Sequence, residues 1–147
     1  MTEISGDRRT AMELLERMFE VEMRFVKSDA NDLDQLADAF HPDVVIHEQG
    51  SLAYPGDWVG LEGVGKLLRR MRDVWSDLGV DGLEAARVGD TVFMACTLSL
   101  TSRANGTTIK QPFAETLHFA DDLLIDGTPF YYDTAEIVAA LGRRTAA

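Results

Sequence analysis

The chain has 147 residues, 46% hydrophobic and 27% charged, the composition of a globular protein long enough to bury one core without metal or disulfide staples. Its formal net charge of −11 argues against nucleic acid and anionic membrane as partners, because binding phosphates needs a basic surface that displaces counterions. A single cysteine, Cys96, excludes an intrachain disulfide, and no apolar run approaches the roughly 20 residues of a spanning helix. The stretch from Met1 to Thr10 is polar and has no signal-peptide core, so a cytoplasmic location is expected.

Apolar residues at helical spacing predict a first helix from about Asp7 to Lys27, with Ala11, Leu15, Met18, Val21 or Glu22, and Phe25 on its inner stripe. Asp32, with Gln35 three residues on, predicts the cap of a short second helix that turns Leu33, Leu36, Ala37 and Phe40 inward and stops at Pro42. Asp43 to Glu48 is rich in β-branched residues and predicts a strand. Gly50 to Gly60 (GSLAYPGDWVG) predicts a loop with two turn signals and room for a short strand at Trp58 and Val59. A third helix is expected over Leu61 to Leu78, with Lys66, Arg69, Arg70 and Arg72 on its solvated face.

After Gly79 the period changes to two. Val80 to Val88, Val92 to Arg103, Thr107 to Ala120 and Leu123 to Asp133 are the expected strands. Their turns are Gly89-Asp90, Asn105-Gly106, and either Asp126-Gly127 or Asp121-Asp122; Asn-Gly is a strong hairpin signal because both residues tolerate positive φ. A short helix over Thr134 to Leu141 closes the chain. No repeat or Pro/Gly/Ser-rich linker divides it, so residues 1–147 are expected to form one domain, with about 1–6 and 143–147 mobile. Helices buried on one face of a long antiparallel sheet define an α+β fold and not a doubly wound one.

Two carboxylates stand out against this pattern. Val44, Ile46 and Glu48 share one face of the first strand, so Glu48 ends an apolar row where burial is expensive; a simply exposed strand end is the plain alternative. Ile109, Gln111, Phe113, Glu115, Leu117 and Phe119 share a face of a later strand, and Glu115 interrupts it; a cross-strand or interface pair is the alternative there. His47 and His118 fall on the faces opposite the two glutamates and are expected on the outer sheet surface. Tyr54, Trp58, Phe113 and Tyr132 are candidate pocket-lining aromatics. Asp133 begins a capping-box spacing with Glu136, Arg24 has Glu20 one turn away, and Cys96 reads as a small buried apolar residue. Three histidines without an i,i+4 pair give no metal spacing, and the glycines at 60, 63 and 65 lack the Lys-Ser/Thr of a phosphate loop, so neither metal nor cofactor is expected.

The element order resembles the nuclear transport factor 2-like superfamily, and within it the SnoaL-like polyketide cyclases and ketosteroid isomerases. Three stretches carry the resemblance: Phe40 to Glu48 (FHPDVVIHE), Trp58 to Gly65 (WVGLEGVG), and Asp126-Gly127 followed by Phe130 to Thr134 (FYYDT). The resemblance implies a cone-shaped α+β barrel, a strongly curved antiparallel sheet wrapped around three helices. It places Glu48 where ketosteroid isomerases keep the catalytic base, and Glu115 near their protonated carboxylic acid. Arg24 falls near the position of their oxyanion tyrosine, a departure from the pattern, and the Arg-x-Asp pair of limonene-type epoxide hydrolases is missing. The superfamily hosts isomerases, dehydratases, cyclases, epoxide hydrolases and non-catalytic modules. The expected function is therefore cofactor-independent proton transfer next to a carbonyl in a small apolar molecule. The alternative is a non-catalytic ligand-binding or dimerisation module of the same fold. A homodimer is expected, because Phe93, Ala95, Thr97 and Ser99 beside Ala114 and Thr116 are weakly polar for an outer sheet face.

Overall fold

Helix α1 (Ala11–Lys27) begins where its capping box sets it: Thr10 Oγ1 accepts the Glu13 N–H at 3.1 Å, and Glu13 Oε1 accepts the Thr10 N–H at 2.8 Å. That start lies downstream of the expected Asp7. The structure, a computed structural model, describes residues 8–28 and 32–142, and the ends expected to be mobile lie outside them. Leu14, Leu15, Met18, Val21 and Phe25 are buried along one stripe of α1.

The second helix is a single 3₁₀ stretch, Leu33–Asp38, in which Leu36 is buried and Ala37 exposed. Pro42 does not stop it. Phe40 already belongs to strand β1 (Phe40–Glu48), and Pro42 sits in that strand where its register against the neighbouring strand shifts, a place that tolerates a missing N–H. Strand β2 (Gly56–Val59) pairs back onto β1, and helix α2 (Gly60–Val74) follows without a break.

Helix α2 ends before the expected Leu78, and β3 (Trp75–Val88) starts at once. Helical periodicity runs on through Leu78, but tertiary bonds decide the boundary. The Arg103 N–H and guanidinium donate to the carbonyls of Val74, Arg72 and Trp75, ending the helix on satisfied acceptors, while Trp75 pairs with Ser102 across the sheet. The basic face of α2 is likewise only half solvated. Lys66 and Arg70 are exposed, whereas the Arg69 guanidinium lies 4.7 Å over the Phe25 ring and Arg72 donates to the Val26 carbonyl at 2.7 Å.

The remaining strands are β4 (Thr91–Ser102), β5 (Thr108–Ala120) and β6 (Leu123–Tyr131), and α3 (Thr134–Ala140) closes the described chain. Asp121 and Asp122, both at positive φ, make the β5–β6 turn, so Asp126 and Gly127 lie within β6. Asp133 caps α3 through the Ala135 and Glu136 N–H groups. The six strands form one curved, unclosed sheet in the order β2-β1-β6-β5-β4-β3, antiparallel except where β1 runs parallel to β6. Its inner face, through Val44, Ile46, Val92, Met94, Leu117 and Phe119, shares one core with α1 and α2. The outer face exposes Phe93 and Phe130, each 49% accessible. Among the described residues, no helix is long and apolar enough to cross a membrane.

Gly63 marks the tightest approach of α2 to β2, since a Cβ there would lie 2.9 Å from the Trp58 carbonyl carbon. An alanine gains about 1 kcal/mol of helix propensity, but overpacking against backbone that cannot swing aside costs about 1–3 kcal/mol. Gly63→Ala is expected to lower stability by about 1 kcal/mol in urea unfolding; an unchanged or raised midpoint contradicts this packing.

Candidate active site: a carboxylate-lined cavity

Between α1, α2 and the inner sheet face lies a cavity of about 380 Å³, walled mainly by methionine, leucine and aromatic side chains. Met23, Leu78 and Val80 line it while remaining substantially exposed, so its mouth opens between α1 and β3. Three carboxylates reach into it from different elements: Glu22 from α1, Glu48 from the end of β1 and Glu115 from the middle of β5. Among the described residues no Lys, Arg or His shares the wall.

Each carboxylate is held by local geometry. Glu22 lies one turn after Met18 and beside Met23, on the part of α1 that faces the cavity. Glu48 is only 8% exposed, and its Oε1 is buried without a hydrogen-bond partner. Glu115 stands on the inner face of β5 between Met94 of β4 and Pro129 of β6. Gly127 makes room for it, since a Cβ at that position would lie 3.0 Å from Glu115 Oε2.

Glu48 is buried, while Glu22 and Glu115 keep part of their surface open to the cavity, and the apolar surroundings favour the protonated form of all three. Burial pushes Glu22 up to about 7. Burial first, then the charge of Glu22, pushes Glu48 up to about 8. Glu115 rises well above the usual carboxylate range through burial, with Glu22 and Glu48 adding to it. The three therefore act as one coupled set, in which the ionisation of one opposes the ionisation of the others.

Behind Glu48 sits a chain of buried hydroxyls. Trp75 Nε1 donates to the Tyr54 hydroxyl at 3.0 Å, and the Tyr54 and Tyr131 hydroxyls are 2.9 Å apart. Tyr131 lines the cavity and meets Phe113 edge-on, with ring centroids 5.1 Å apart. Tyr54 is fully buried, and its phenol is pushed up to about 12, chiefly by burial.

Of the residues singled out from sequence, Glu48, Glu115 and Phe113 come together at this cavity. Tyr54 lies one layer behind, bonded to Tyr131. Trp58 is outside the wall: half buried, it donates its indole N–H to the Tyr54 carbonyl at 3.2 Å. Tyr132 is 75% exposed and also outside the wall, because alternation along β6 turns its neighbour Tyr131 inward instead. Tyr131 lies opposite the inward Phe113 in the β5–β6 pairing, which fixes its direction. Glu22, the alternative to Val21 on the inner stripe of α1, is the one carboxylate of the wall that the sequence pattern does not single out.

The remaining polar candidates, Cys96 excepted, lie elsewhere. His47 is on the outer face, its ring nitrogens 2.8 Å from Asp57 and 2.9 Å from Asp126, and those two hydrogen bonds raise its pKa. His118 is exposed and bonded to Thr91, and Arg24 pairs with Asp38 at 3.4 Å rather than with Glu20. Cys96 is buried and lines the cavity. Among the described residues, no group of three His, Cys, Asp or Glu could hold a metal ion.

The SnoaL-like domain family matches residues 15–126, and the chain belongs to that family. Its fold is that of NTF2-like proteins. An NTF2-like protein of unknown function from Burkholderia pseudomallei K96243 is 18% identical, with a TM-score of 0.75 over 91% of this chain and 98% of that one. A putative SnoaL-like polyketide cyclase from Jannaschia sp. CCS1 is 16% identical, with a TM-score of 0.74 over 99% of this chain and 100% of that one. A hypothetical protein with a ketosteroid isomerase-like fold from Catenulispora acidiphila DSM 44928, solved in complex with trimethylamine, is 16% identical, with a TM-score of 0.68 over 88% of this chain and 92% of that one. Among curated proteins nothing matches.

The raised carboxyls set a pH dependence of stability. The folded chain keeps the Glu48 proton up to about 8, whereas the unfolded chain releases it near the ordinary 4.5, so this contribution is complete below 4.5 and is lost as pH rises through 8. Unfolding free energy is expected to fall by on the order of 4 kcal/mol between about pH 5 and 9 from Glu48 alone. Glu48→Gln should flatten that slope in urea titrations. A wild-type and variant pair with parallel pH profiles would show that Glu48 titrates normally.

Proposed function

We propose that the protein is a cofactor-independent enzyme that moves a proton next to a carbonyl in a small, largely apolar molecule, as an isomerase, dehydratase or aldol-type cyclase. The observation that carries this reading is the convergence of Glu48 and Glu115, both with raised proton affinity, on one apolar cavity. Ionised Glu48 removes the proton from the carbon beside the carbonyl, and the C–H electron pair moves onto the carbonyl oxygen to give an enolate. Neutral Glu115 donates a hydrogen bond to that oxygen, which is worth most in a dry site. The proton then returns from Glu48 to a different carbon, or the enolate expels a hydroxide or attacks a second carbonyl. A base with a pKa near 8 suits this task, being strong enough to abstract and still ionised in part at neutral pH.

Tyr131 supports the same step. Trp75 can only donate, so it occupies an acceptor site on Tyr54, and the Tyr54 and Tyr131 hydroxyls share the next hydrogen bond, which holds the Tyr131 hydroxyl at the cavity wall. Phe113 packs on Tyr131 and fixes its ring. Tyr54 is a positioning residue behind it.

The protein acts as a homodimer in this reading, joined through the outer sheet face. Phe93 and Phe130 are both half exposed there, with Ala95, Ala114 and Thr116 between and around them. Light scattering at micromolar concentration should return twice the chain mass, and Phe93→Lys with Phe130→Lys should return the chain mass alone. A wild-type monomer rules the interface out.

Turnover of a β,γ-unsaturated ketone tests the chemistry. Glu48→Gln keeps the shape but cannot accept the proton, so kcat should fall by roughly 10²–10⁴. Glu115→Gln should cost less, because an amide still donates to the oxyanion. Turnover should rise with pH as Glu48 ionises and level off above about 8. Undiminished turnover in Glu48→Gln removes it as the base and leaves a cavity that only holds its ligand.

A further inference from the structure

Glu22 is surplus to a scheme that needs one base and one acid. It stands in an apolar wall on α1, it opposes the ionisation of Glu48 and Glu115, and no side chain of the described residues offers it a cation. A neutral ketone would leave this third carboxylate unmatched. Glu48 Oε1, on a residue only 8% exposed, is also without a hydrogen-bond partner. A buried carboxyl oxygen left open in a cavity calls for a cation or a hydrogen-bond donor brought by the ligand.

The walls narrow the chemistry of that group. The carboxylates are not arranged to hold a metal ion. A sugar would strand its hydroxyls against Met18, Met71, Met94, Leu98 and Phe19. An ammonium group with an apolar body fits both halves of the site: its charge meets the carboxylates, its carbon skeleton meets the methionines, and Phe113 and Tyr131 offer aromatic faces and edges nearby. The chain's charge of −11 also raises the local concentration of cations at its surface.

We infer that the cavity takes an apolar molecule carrying one protonated or quaternary amine, with the cationic nitrogen among Glu22, Glu48 and Glu115. This rests on the cavity being the small-molecule site proposed above, and it names the substrate class of that site. The titratable groups facing the nitrogen are Glu22 from α1, Glu48 from β1, Cys96 from β4, Glu115 from β5 and Tyr131 from β6; α2 and β3 contribute only apolar side chains. A bound cation favours the ionised carboxylates, so binding near neutral pH drives protons off them.

The test compares two molecules of one shape, phenyltrimethylammonium and its neutral carbon isostere tert-butylbenzene, by calorimetry on the full chain near pH 7 in two buffers of different ionisation enthalpy. The ammonium ion is expected to bind at least about tenfold more tightly and to release protons, a charge preference of the size that desolvated cation recognition supports. The isostere should release none. In the Glu22→Gln, Glu48→Gln, Glu115→Gln triple variant the preference should vanish while tert-butylbenzene binds as before. Should the triple variant fail to fold, Glu22→Gln alone must reduce the preference by at least about threefold, as the loss of one nearby charge requires. Equal or tighter binding of the isostere overturns the inference, as does binding of neither molecule, or a preference that survives the substitutions and so belongs to the acidic surface. The ketone assay separates the two readings. Glu48-dependent turnover without a cation preference leaves the proton-transfer reading standing and removes the amine, whereas a cation preference without Glu48-dependent turnover does the reverse.

Discussion

An ionised carboxylate in an apolar cavity is unstable unless it finds a proton, a cation or hydrogen-bond donors, and this protein places three such groups around one cavity with no basic side chain among the described residues of its wall. Much of the architecture answers to that constraint. The carboxylates come from α1, β1 and β5, so no single element bears the whole penalty, and the buried core below them supplies the compensating stability. Gly127 leaves the space that Glu115 Oε2 occupies. Protonation is the response the fold itself supplies, and it converts the usual acceptor into a donor near neutral pH. The same three groups can thus act as acid, base or counter-ion, depending on what enters.

Rigidity behind the cavity comes from the network around Tyr54. Its hydroxyl accepts from Trp75 at the head of β3 and bonds Tyr131 at the end of β6, while its backbone carbonyl accepts from Trp58 of β2. One buried residue from an irregular loop therefore ties three strands together, two through its hydroxyl and one through its backbone carbonyl. On the outer face, His47 spans Asp57 of β2 and Asp126 of β6 from its position on β1, directly before Glu48. Glu48 is held in place by a strand clamped from the solvent side and packed from the core side, the support a functional carboxylate needs to keep its geometry.

Shared fold and shared chemistry part company at this level of similarity. Structures only 16–18% identical superpose over most of this chain, and among them are a putative polyketide cyclase and proteins of unknown function. The shared fold fixes the scaffold, whereas the chemistry of a site depends on the side chains that each sequence places on it. In this chain Arg24 is at the surface with Asp38, a tyrosine enters the cavity from β6, and a third carboxylate enters from α1.

Alternation and periodicity alone were enough to read the element types, the inward face of β5, the outward histidines, and Glu48 and Glu115 as carboxylates interrupting apolar rows. These are local properties, fixed by side-chain direction along a strand or helix. The sequence also carried the family resemblance, in motifs that span nearly the whole chain. What tertiary contact decided was different in kind. Helix α2 ends at Val74 because Arg103, far along the chain, satisfies its last carbonyls, and β1 begins at Phe40 because β6 pairs with it despite Pro42. Tyr131 rather than Tyr132 enters the wall because the strand's pairing opposite Phe113 fixes its parity. Glu22 reads as an ordinary polar residue in an amphipathic helix until β1 and β5 bring two more carboxylates against the same cavity. Its meaning depends on the dielectric and charge around it, and only the folded chain creates those.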